Sequence, residues 1–115
     1  MLIRSQNKEV LINFNTLAGI EIAEGPVKTV ITSYITGCSY LLGEYLTKEK
    51  AIKVLDMIQK AYADAELIPM TVPNIGKMFA EAPASKENEL LAETIGEALM
   101  KKMVFQMPED SEVEV

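Results

Sequence analysis

The sequence predicts an α+β domain in which an antiparallel sheet of about five or six strands carries one long helix on a face. Three observations lead to this prediction. Residues 1–46 alternate between apolar and polar side chains, an apolar stripe with helical spacing covers about residues 47–66, and a second helical pattern covers about residues 85–103. Alternation is typical of half-buried strands, and a helical stripe is typical of a helix that packs on a sheet.

Short strands are predicted throughout the first part of the chain, at residues 2–6, 10–14, 17–24, 27–36 and 38–46. The fourth of these, VKTVITSYIT, is rich in β-branched residues and tyrosine, which favour strands. Gly25-Pro26 ends the strand before it, because proline cannot donate a hydrogen bond to a neighbouring strand. The connecting turns are short, so neighbouring strands are predicted to be antiparallel. Gly43 predicts a bulge or a close approach of another backbone.

The helix over about 47–66 begins at Thr47, a favourable N-cap, with Glu49 in the first turn where the helix dipole favours an acid. Its polar side includes two ion pairs with i,i+4 spacing, which stabilise a helix by only a few tenths of a kcal/mol each. Burial of its apolar side chains is therefore predicted to decide its stability. This stripe consists of Ala51, Ile52, Val54, Leu55, Ile58, Ala61, Tyr62 and Ala65.

The rest of the chain is predicted to be less regular. Residues 67–84 contain three prolines, so they are expected to form an extended piece at 68–72, a helical turn at 74–80 and then a loop. A second helix over about 85–103 begins at Ser85 and has a narrower apolar stripe, which predicts tertiary or intersubunit contacts. Residues 104–107 are predicted to form a last strand. The domain is therefore assigned to residues 1–108, and residues 109–115 are expected to be a frayed acidic tail.

Charge and composition exclude several classes of partner. The net charge is −6, of which the last eight residues carry −4, and no basic cluster is present. Binding to nucleic acid or to an anionic membrane surface requires clustered Lys and Arg, so neither is predicted. The sequence has no apolar run of about 20 residues and no apolar signal-peptide core. With a single cysteine, these features predict a cytoplasmic protein.

The residue types needed for common catalytic sites are missing. The chain has no histidine and only Cys38 as a thiol, which excludes Ser-His and Cys-His pairs and zinc sites built on Cys and His. No phosphate-binding glycine motif is present. No catalytic residue, cofactor or metal ligand is therefore assigned. Glu21, Glu24 and Glu44 lie on or beside predicted strands, and they are interpreted as solvated carboxylates rather than an acid–base pair.

The sulfur-containing and aromatic side chains are interpreted as structural. Cys38 has no resolving cysteine and no cationic neighbour in the sequence, so a packed or turn-adjacent thiol is predicted. Of the seven methionines, five lie in the C-terminal third and are predicted to pack in the core or between subunits; they are Met70, Met78, Met100, Met103 and Met107. The aromatic residues are predicted to pack in the core, since no basic residues are interleaved among them; they are Phe14, Tyr34, Tyr40, Tyr45, Tyr62, Phe79 and Phe105.

Three blocks of the sequence resemble a family of small uncharacterised bacterial proteins, often from Gram-positive species. The blocks are IRSQNKEVLINF at 3–14, LLGEYLTKEKAIKVLDMIQKAY at 41–62 and FQMPED at 105–110. The family has no established activity, so the resemblance implies no functional residues. It implies that the first hairpin, the strand-to-helix junction and the last strand meet, with the last strand in the sheet under the helix. Residues 67–103 are then an elaboration of this pattern.

A non-enzymatic protein-binding or self-assembly module is the function that these observations favour, with the chain itself or another protein as partner. The alternative function is a small ligand-binding protein or a carboxylate-based enzyme with a pocket near residues 67–84. For the fold, the alternative is a small, partly closed barrel capped by a helix, similar to pleckstrin-homology-like folds. The two folds differ in whether the sheet closes.

Overall fold

The structure, a computed structural model, describes the backbone of residues 1–115 and the side chains of all but residues 69–72, 74–76 and 79. Six strands and two helices follow one another along the chain. In order they are β1 (Leu2–Arg4), β2 (Leu11–Asn13), β3 (Gly19–Glu24), β4 (Thr29–Ile35), β5 (Cys38–Tyr45), α1 (Lys48–Glu81), α2 (Lys86–Lys102) and β6 (Val104–Gln106).

The predicted α+β class is confirmed, but the single antiparallel sheet is wrong. The strands form two sheets of three, in the orders β2-β1-β6 and β3-β4-β5, and neither closes into a barrel. The first sheet is mixed, because β6 runs parallel to β1. The sheets separate after β2, where the Asn13 side chain accepts a hydrogen bond from Asn15 N–H and starts a 3-10 turn over Phe14–Thr16. Asn side chains commonly form such local hydrogen bonds with the backbone, and the resulting turn ends the strand pairing.

The first helix begins at the predicted residue but extends much further than predicted. The Thr47 hydroxyl accepts a hydrogen bond from Lys50 N–H at 3.2 Å, and α1 then continues to Glu81. The extended piece predicted at 68–72 is therefore wrong, whereas the helical turn predicted at 74–80 lies within α1 and a short loop follows at 82–85. Pro69 and Pro73 each lack an N–H for the helix, but the φ that proline fixes lies in the helical range, so the chain can continue. The helix ends where Ala82, the residue before Pro83, is extended at φ −75° and ψ 148°.

The second helix and the last strand agree with their predictions. The Ser85 hydroxyl accepts a hydrogen bond from Asn88 N–H at 3.1 Å and caps α2. The strand expected at 104–107 is present as β6, with Ile3 of β1 beside Phe105 in the parallel register. Because α1 and α2 form a long helical hairpin, the chain returns to the N-terminal sheet and β6 enters it alongside β1.

One core joins both sheets to the first half of α1. Its buried apolar residues are Ile3, Ile31, Leu42, Tyr45, Ala51, Val54, Ile58, Met107 and Val113. From the predicted helix stripe, Ala51, Val54 and Ile58 are buried, Leu55 is half-buried, and Ile52 is exposed. The contact of α1 with the sheets is therefore narrower than the sequence pattern indicates.

The segment after Pro108 was expected to be frayed, and this expectation is wrong. Residues Asp110–Glu112 form a 3-10 turn, and the Val113 side chain is only 4% exposed in the core. The Lys53 ammonium donates a hydrogen bond to the carbonyl of Glu114. Glu109, Glu112 and Glu114 face solvent around this apolar anchor, whereas Asp110 is half-buried. Burial of a valine side chain is worth roughly 1.5–3 kcal/mol, enough to hold a short segment in place.

Candidate functional site

The three carboxylates considered from the sequence do not come together as an acid–base pair. Glu24 pairs with Lys48 at 3.0 Å, and Glu44 pairs with Lys28 at 3.2 Å. Glu21 is exposed on β3. Glu24 and Glu44 lie on strands that are separated by β4, and each is paired with a different lysine. Within the described residues, no three acidic or cysteine side chains are placed to hold a metal ion.

The thiol and the methionines occupy varied environments. Cys38 follows the two-residue turn Thr36-Gly37 and is exposed, so it is turn-adjacent rather than packed. Among the C-terminal methionines only Met107 is buried; Met78, Met100 and Met103 are 50–70% exposed, and the side chain of Met70 lies outside the described residues. Among the methionines whose side chains are described, core packing is therefore confirmed for Met107, and packing between subunits stays a prediction for the exposed ones.

The aromatic residues divide in a similar way. Tyr45 is buried, and Phe14 and Tyr62 are half-buried with their ring centroids 4.6 Å apart. Phe105 is half-buried against the core, whereas Tyr34 and Tyr40 are exposed. The side chain of Phe79 lies outside the described residues. Core packing therefore describes only part of the aromatic set.

Gln6 joins the N-terminal sheet to β5 and to the chain after β6. Its backbone N–H donates to the carbonyl of Leu42 at 2.7 Å. Its side-chain oxygen accepts from Glu44 N–H at 2.9 Å, and its Nε2 donates to the carbonyls of Glu44 and Pro108, both at 3.1 Å. One primary amide thus replaces a stretch of strand pairing between the two sheets. An amide carries both the donors and the acceptor that this position needs.

Tyr45 reaches the same point from the inner face of β5. Its hydroxyl donates to the Pro108 carbonyl at 2.8 Å. The ring lies against Gly43, where an added Cβ would stand 3.0 Å from the tyrosine ring and hydroxyl. Burial and the nearby acidic residues, Glu109 first among them, raise the pKa of the Tyr45 hydroxyl well above its usual value, so it is a neutral donor. The predicted irregularity at Gly43 is confirmed by a register shift between Ile31 and Thr32 on the opposing strand.

Asp110 connects the C-terminal segment to the start of α1. Its carboxylate accepts from Leu46 N–H at 2.8 Å and pairs with the Lys50 ammonium at 3.1 Å. The hydrogen bond from Leu46, followed by the contact with Lys50, lowers the pKa of Asp110 below its usual value of 3.8. The polar groups of Gln6, Tyr45 and Asp110 therefore join structural elements near Pro108, and the sequence blocks 3–14, 41–62 and 105–110 meet there.

Replacing Asp110 with asparagine is expected to reduce stability at neutral pH, because the charge next to Lys50 is lost. A lowered folded-state pKa adds stability that is present above the usual value of 3.8 and is lost as the pH falls through the folded-state value. The difference between wild type and Asp110→Asn should therefore shrink in acid. Urea unfolding at a series of pH values measures it. Asp56→Asn, an exposed change on α1, is the matched control, and a constant Asp110→Asn difference at all pH values would contradict the assignment.

The far part of the helical hairpin, which comprises α1 after Ile58 and all of α2, contributes none of its described residues to the buried core. The molecule measures 61 × 32 × 22 Å, and α1 alone accounts for about 51 Å of helix. Helix α2 packs on α1 and beside β6, but none of its 17 residues is buried. Ala92, Ile95 and Leu99 are half-buried against α1. A helix stabilised by so little burial gains from an additional partner surface.

Exposed apolar side chains follow one flank of this hairpin. On α1, Leu67 and Met78 are 11 residues apart, which places them on one face, and they are 55% and 70% exposed. On α2, Leu91 and Lys102 share a face by the same spacing, and Leu91 is 52% exposed. A depression between the helices, lined by Leu67, Leu99 and Lys102 among others, places the two faces next to each other. These residues, with Ala98, are called the hairpin flank.

The sequence signalled this surface only in part. The narrow stripe of the second helix predicted a need for contacts beyond the chain, and Leu91, Ala98 and Lys102 belong to that stripe. The contribution of α1 was missed, because residues beyond 66 were predicted to be irregular. Because Pro69 and Pro73 interrupt the apolar pattern, the sequence did not indicate that Leu67 and Met78 lie on one face of a helix.

Among the described residues, no helix combines the length and apolar character needed to cross a bilayer. Comparison of the chain with protein-family models, with curated proteins and with solved structures found no match. The resemblance to small uncharacterised bacterial proteins therefore stays a prediction.

Proposed function

We propose that this chain is a non-enzymatic assembly module that associates with a second copy through the hairpin flank. The main support is that Met78 and Leu91 are exposed on a hairpin whose second helix has no buried residue. Burying a leucine or methionine side chain is worth roughly 1.5–3 kcal/mol. In a symmetric dimer each of these residues is buried once in each copy. The combined free energy of burial then exceeds the contribution of any exposed ion pair on the surface.

Charge favours an antiparallel arrangement of the two hairpins. Helix α2 has Glu87 and Glu89 in its first turn and Lys101 and Lys102 in its last turn. When two copies of α2 run in opposite directions, the acids of one lie beside the lysines of the other. This arrangement has two-fold symmetry, the commonest form of homodimer. Such pairs set orientation more than affinity, and they weaken with added salt.

The size of the flank predicts a weak dimer. Helix α2 is about 25 Å long, and two helices side by side are roughly 20 Å across, so the face covers roughly 500 Å². Stable interfaces bury about 800 Å² on each partner. The dimer is therefore expected to dissociate on dilution, and the same flank is available to a helix of another protein.

A matched pair of substitutions tests the role of the flank. Leu91→Glu places a charge in the proposed interface, whereas Leu90→Glu makes the same change one residue away on another side of α2 at equal exposure, 56% against 52%. Light scattering from micromolar to millimolar concentration is expected to show a dimer that forms as the concentration rises for wild type and Leu90→Glu, and a monomer throughout for Leu91→Glu. A wild-type monomer throughout this range would contradict the proposal, as would equal effects of the two variants.

The alternative function, a small-ligand binder or a carboxylate enzyme with a pocket near residues 67–84, has less support. The described residues in that region line two depressions that are open to solvent, one between Asp64 and Lys102 and one around Ala80–Ala92. Neither brings two carboxylates together with a partner that would separate their pKa values.

A further inference from the structure

The sheet β3-β4-β5 has an unpaired edge at β3, on the opposite side of the sheet from β5. Strand β3 is the outer strand of its sheet, with β4 on one side only. Gly25 N–H donates to the carbonyl of Lys28 at the end of the β3–β4 ladder. Bonding alternates along an antiparallel pair, so the N–H and C=O groups of Ile20, Ile22 and Glu24 point away from β4. No partner for these groups is found within the described part of the chain.

An apolar cleft borders this edge. The cleft has a volume of about 420 Å³ and lies between the start of β3 and one side of α1. Its apolar lining includes Phe14, Leu17, Ile20, Leu55, Ile58 and Tyr62. Ile52, which is 45% exposed, lies one turn before Leu55 and continues the same side of α1 towards the end of β3. An open strand edge beside a helix, with an apolar cleft between them, is the geometry that accepts an added strand.

Acidic side chains lie beside the open edge of β3 and beyond one end of the cleft. Glu21 projects from the solvent side of β3, opposite to the side of Ile20 and Ile22. Glu66 lies one turn beyond Tyr62 and accepts a hydrogen bond from its hydroxyl, which raises the pKa of Tyr62. The lysine at the other end, Lys48, is already paired with Glu24 at 3.0 Å.

We infer that the open edge of β3 and this cleft bind an extended peptide segment in which apolar residues alternate with basic residues. The segment pairs with Ile20, Ile22 and Glu24 through its main chain. Its apolar side chains enter the cleft against Leu55 and Leu17, and its basic side chains lie on the solvent side near Glu21. Opposite charges on neighbouring strands are favourable, and like charges are unfavourable.

A second copy of this chain fits the edge less well than a basic segment. Pairing β3 with another β3 brings Glu21 of both copies to the solvent side of one junction, and β3 contains no lysine to offset them. The inferred site is also separate from the hairpin flank. Loss of peptide binding and loss of self-association are therefore distinguishable results.

Peptide binding to the full chain tests this inference. The probes are a fluorescein-labelled octapeptide of alternating valine and lysine and a matching peptide of alternating valine and glutamate, followed by fluorescence polarisation. The lysine peptide is expected to bind about tenfold more tightly than the glutamate peptide, with the difference decreasing as salt is added. Failure of the lysine peptide to bind at millimolar protein would overturn the inference.

Three variants locate the binding. Glu21→Lys is expected to reverse the preference between the two peptides, whereas Glu97→Lys, the same charge change on exposed α2, is expected to leave it unaltered. Equal effects of these two would show charge attraction without a site and would overturn the inference. Ile22→Pro removes an outward N–H and should weaken binding about tenfold or more. If that variant does not fold, the comparison of Glu21→Lys with Glu97→Lys still decides the result.

Discussion

Replacing Tyr45 with alanine is expected to lower the free energy of unfolding by about 3–5 kcal/mol, the range found when a buried aromatic side chain is truncated. The tyrosine is 1% exposed and occupies the centre of the core between β5, α1 and the C-terminal segment. The change leaves a cavity and also removes the hydroxyl donor to Pro108. Denaturant unfolding followed by circular dichroism measures the loss.

Tyr45→Phe is the control that separates these two contributions. It keeps the ring and removes only the hydrogen bond to the Pro108 carbonyl, which still accepts from Gln6 Nε2. A loss of about 1 kcal/mol is therefore expected. A loss for Tyr45→Ala as small as that for Tyr45→Phe would mean that the ring is not part of the core.

Replacing Gln6 with alanine is expected to lower the free energy of unfolding by about 2–4 kcal/mol. The substitution removes three hydrogen bonds at once, one to Glu44 N–H and two to the carbonyls of Glu44 and Pro108. A hydrogen bond contributes about 0.5–1.5 kcal/mol, and a buried group left without a partner costs about 1–3 kcal/mol. Water can satisfy some of these part-buried groups, so the sum is less than three full penalties.

Gln59→Ala on the exposed side of α1 is the matched control for Gln6→Ala. Alanine is a better helix former than glutamine, so this change is expected to leave stability within about 0.5 kcal/mol of wild type. Denaturant midpoints for both variants make the comparison. If the two glutamines gave similar values, Gln6 would not join the two sheets.

Local sequence signals predicted the elements whose stability is local. Thr47 and Ser85 cap their helices as expected, because an N-cap depends only on a side chain and the next three residues. The alternation predicted for residues 1–46 is present in β4, where Ile31 and Ser33 are buried and Tyr34 is exposed, since one face of that strand packs on the core. These features need no knowledge of which distant elements meet.

Apart from the helix that continues through Pro69 and Pro73, the main errors depend on contacts between distant parts of the chain. Gln6 looks like an ordinary polar residue of a turn, and its partners lie 38 and 102 residues away. The acidic segment after Pro108 looks disordered by composition, but Val113 and Asp110 fasten it to the core and to α1. The parallel pairing of β1 with β6 likewise depends on where the helical hairpin returns the chain.

The candidate surface was predicted less well than the fold. The stripe on α2 indicated a missing partner, but the flank on α1 could be recognised only once Pro69 and Pro73 were seen to lie within a continuous helix. The open edge of β3 was not recognisable either, because a meander of five strands predicted β2 as its neighbour. The hairpin flank and the open edge of β3 are exposed because no other element of the chain packs on them. Local sequence patterns do not show which elements pack together.

Hydrogen exchange of the full chain at two concentrations tests most directly whether the hairpin is an assembly surface. Peptides from residues 86–102 are expected to exchange quickly in dilute protein and more slowly near millimolar concentration, because the dimer buries α2. Peptides from β4 and β5, which lie in the core, are expected to exchange at the same rate in both samples. Exchange of residues 86–102 that does not depend on concentration would contradict self-association through the hairpin flank.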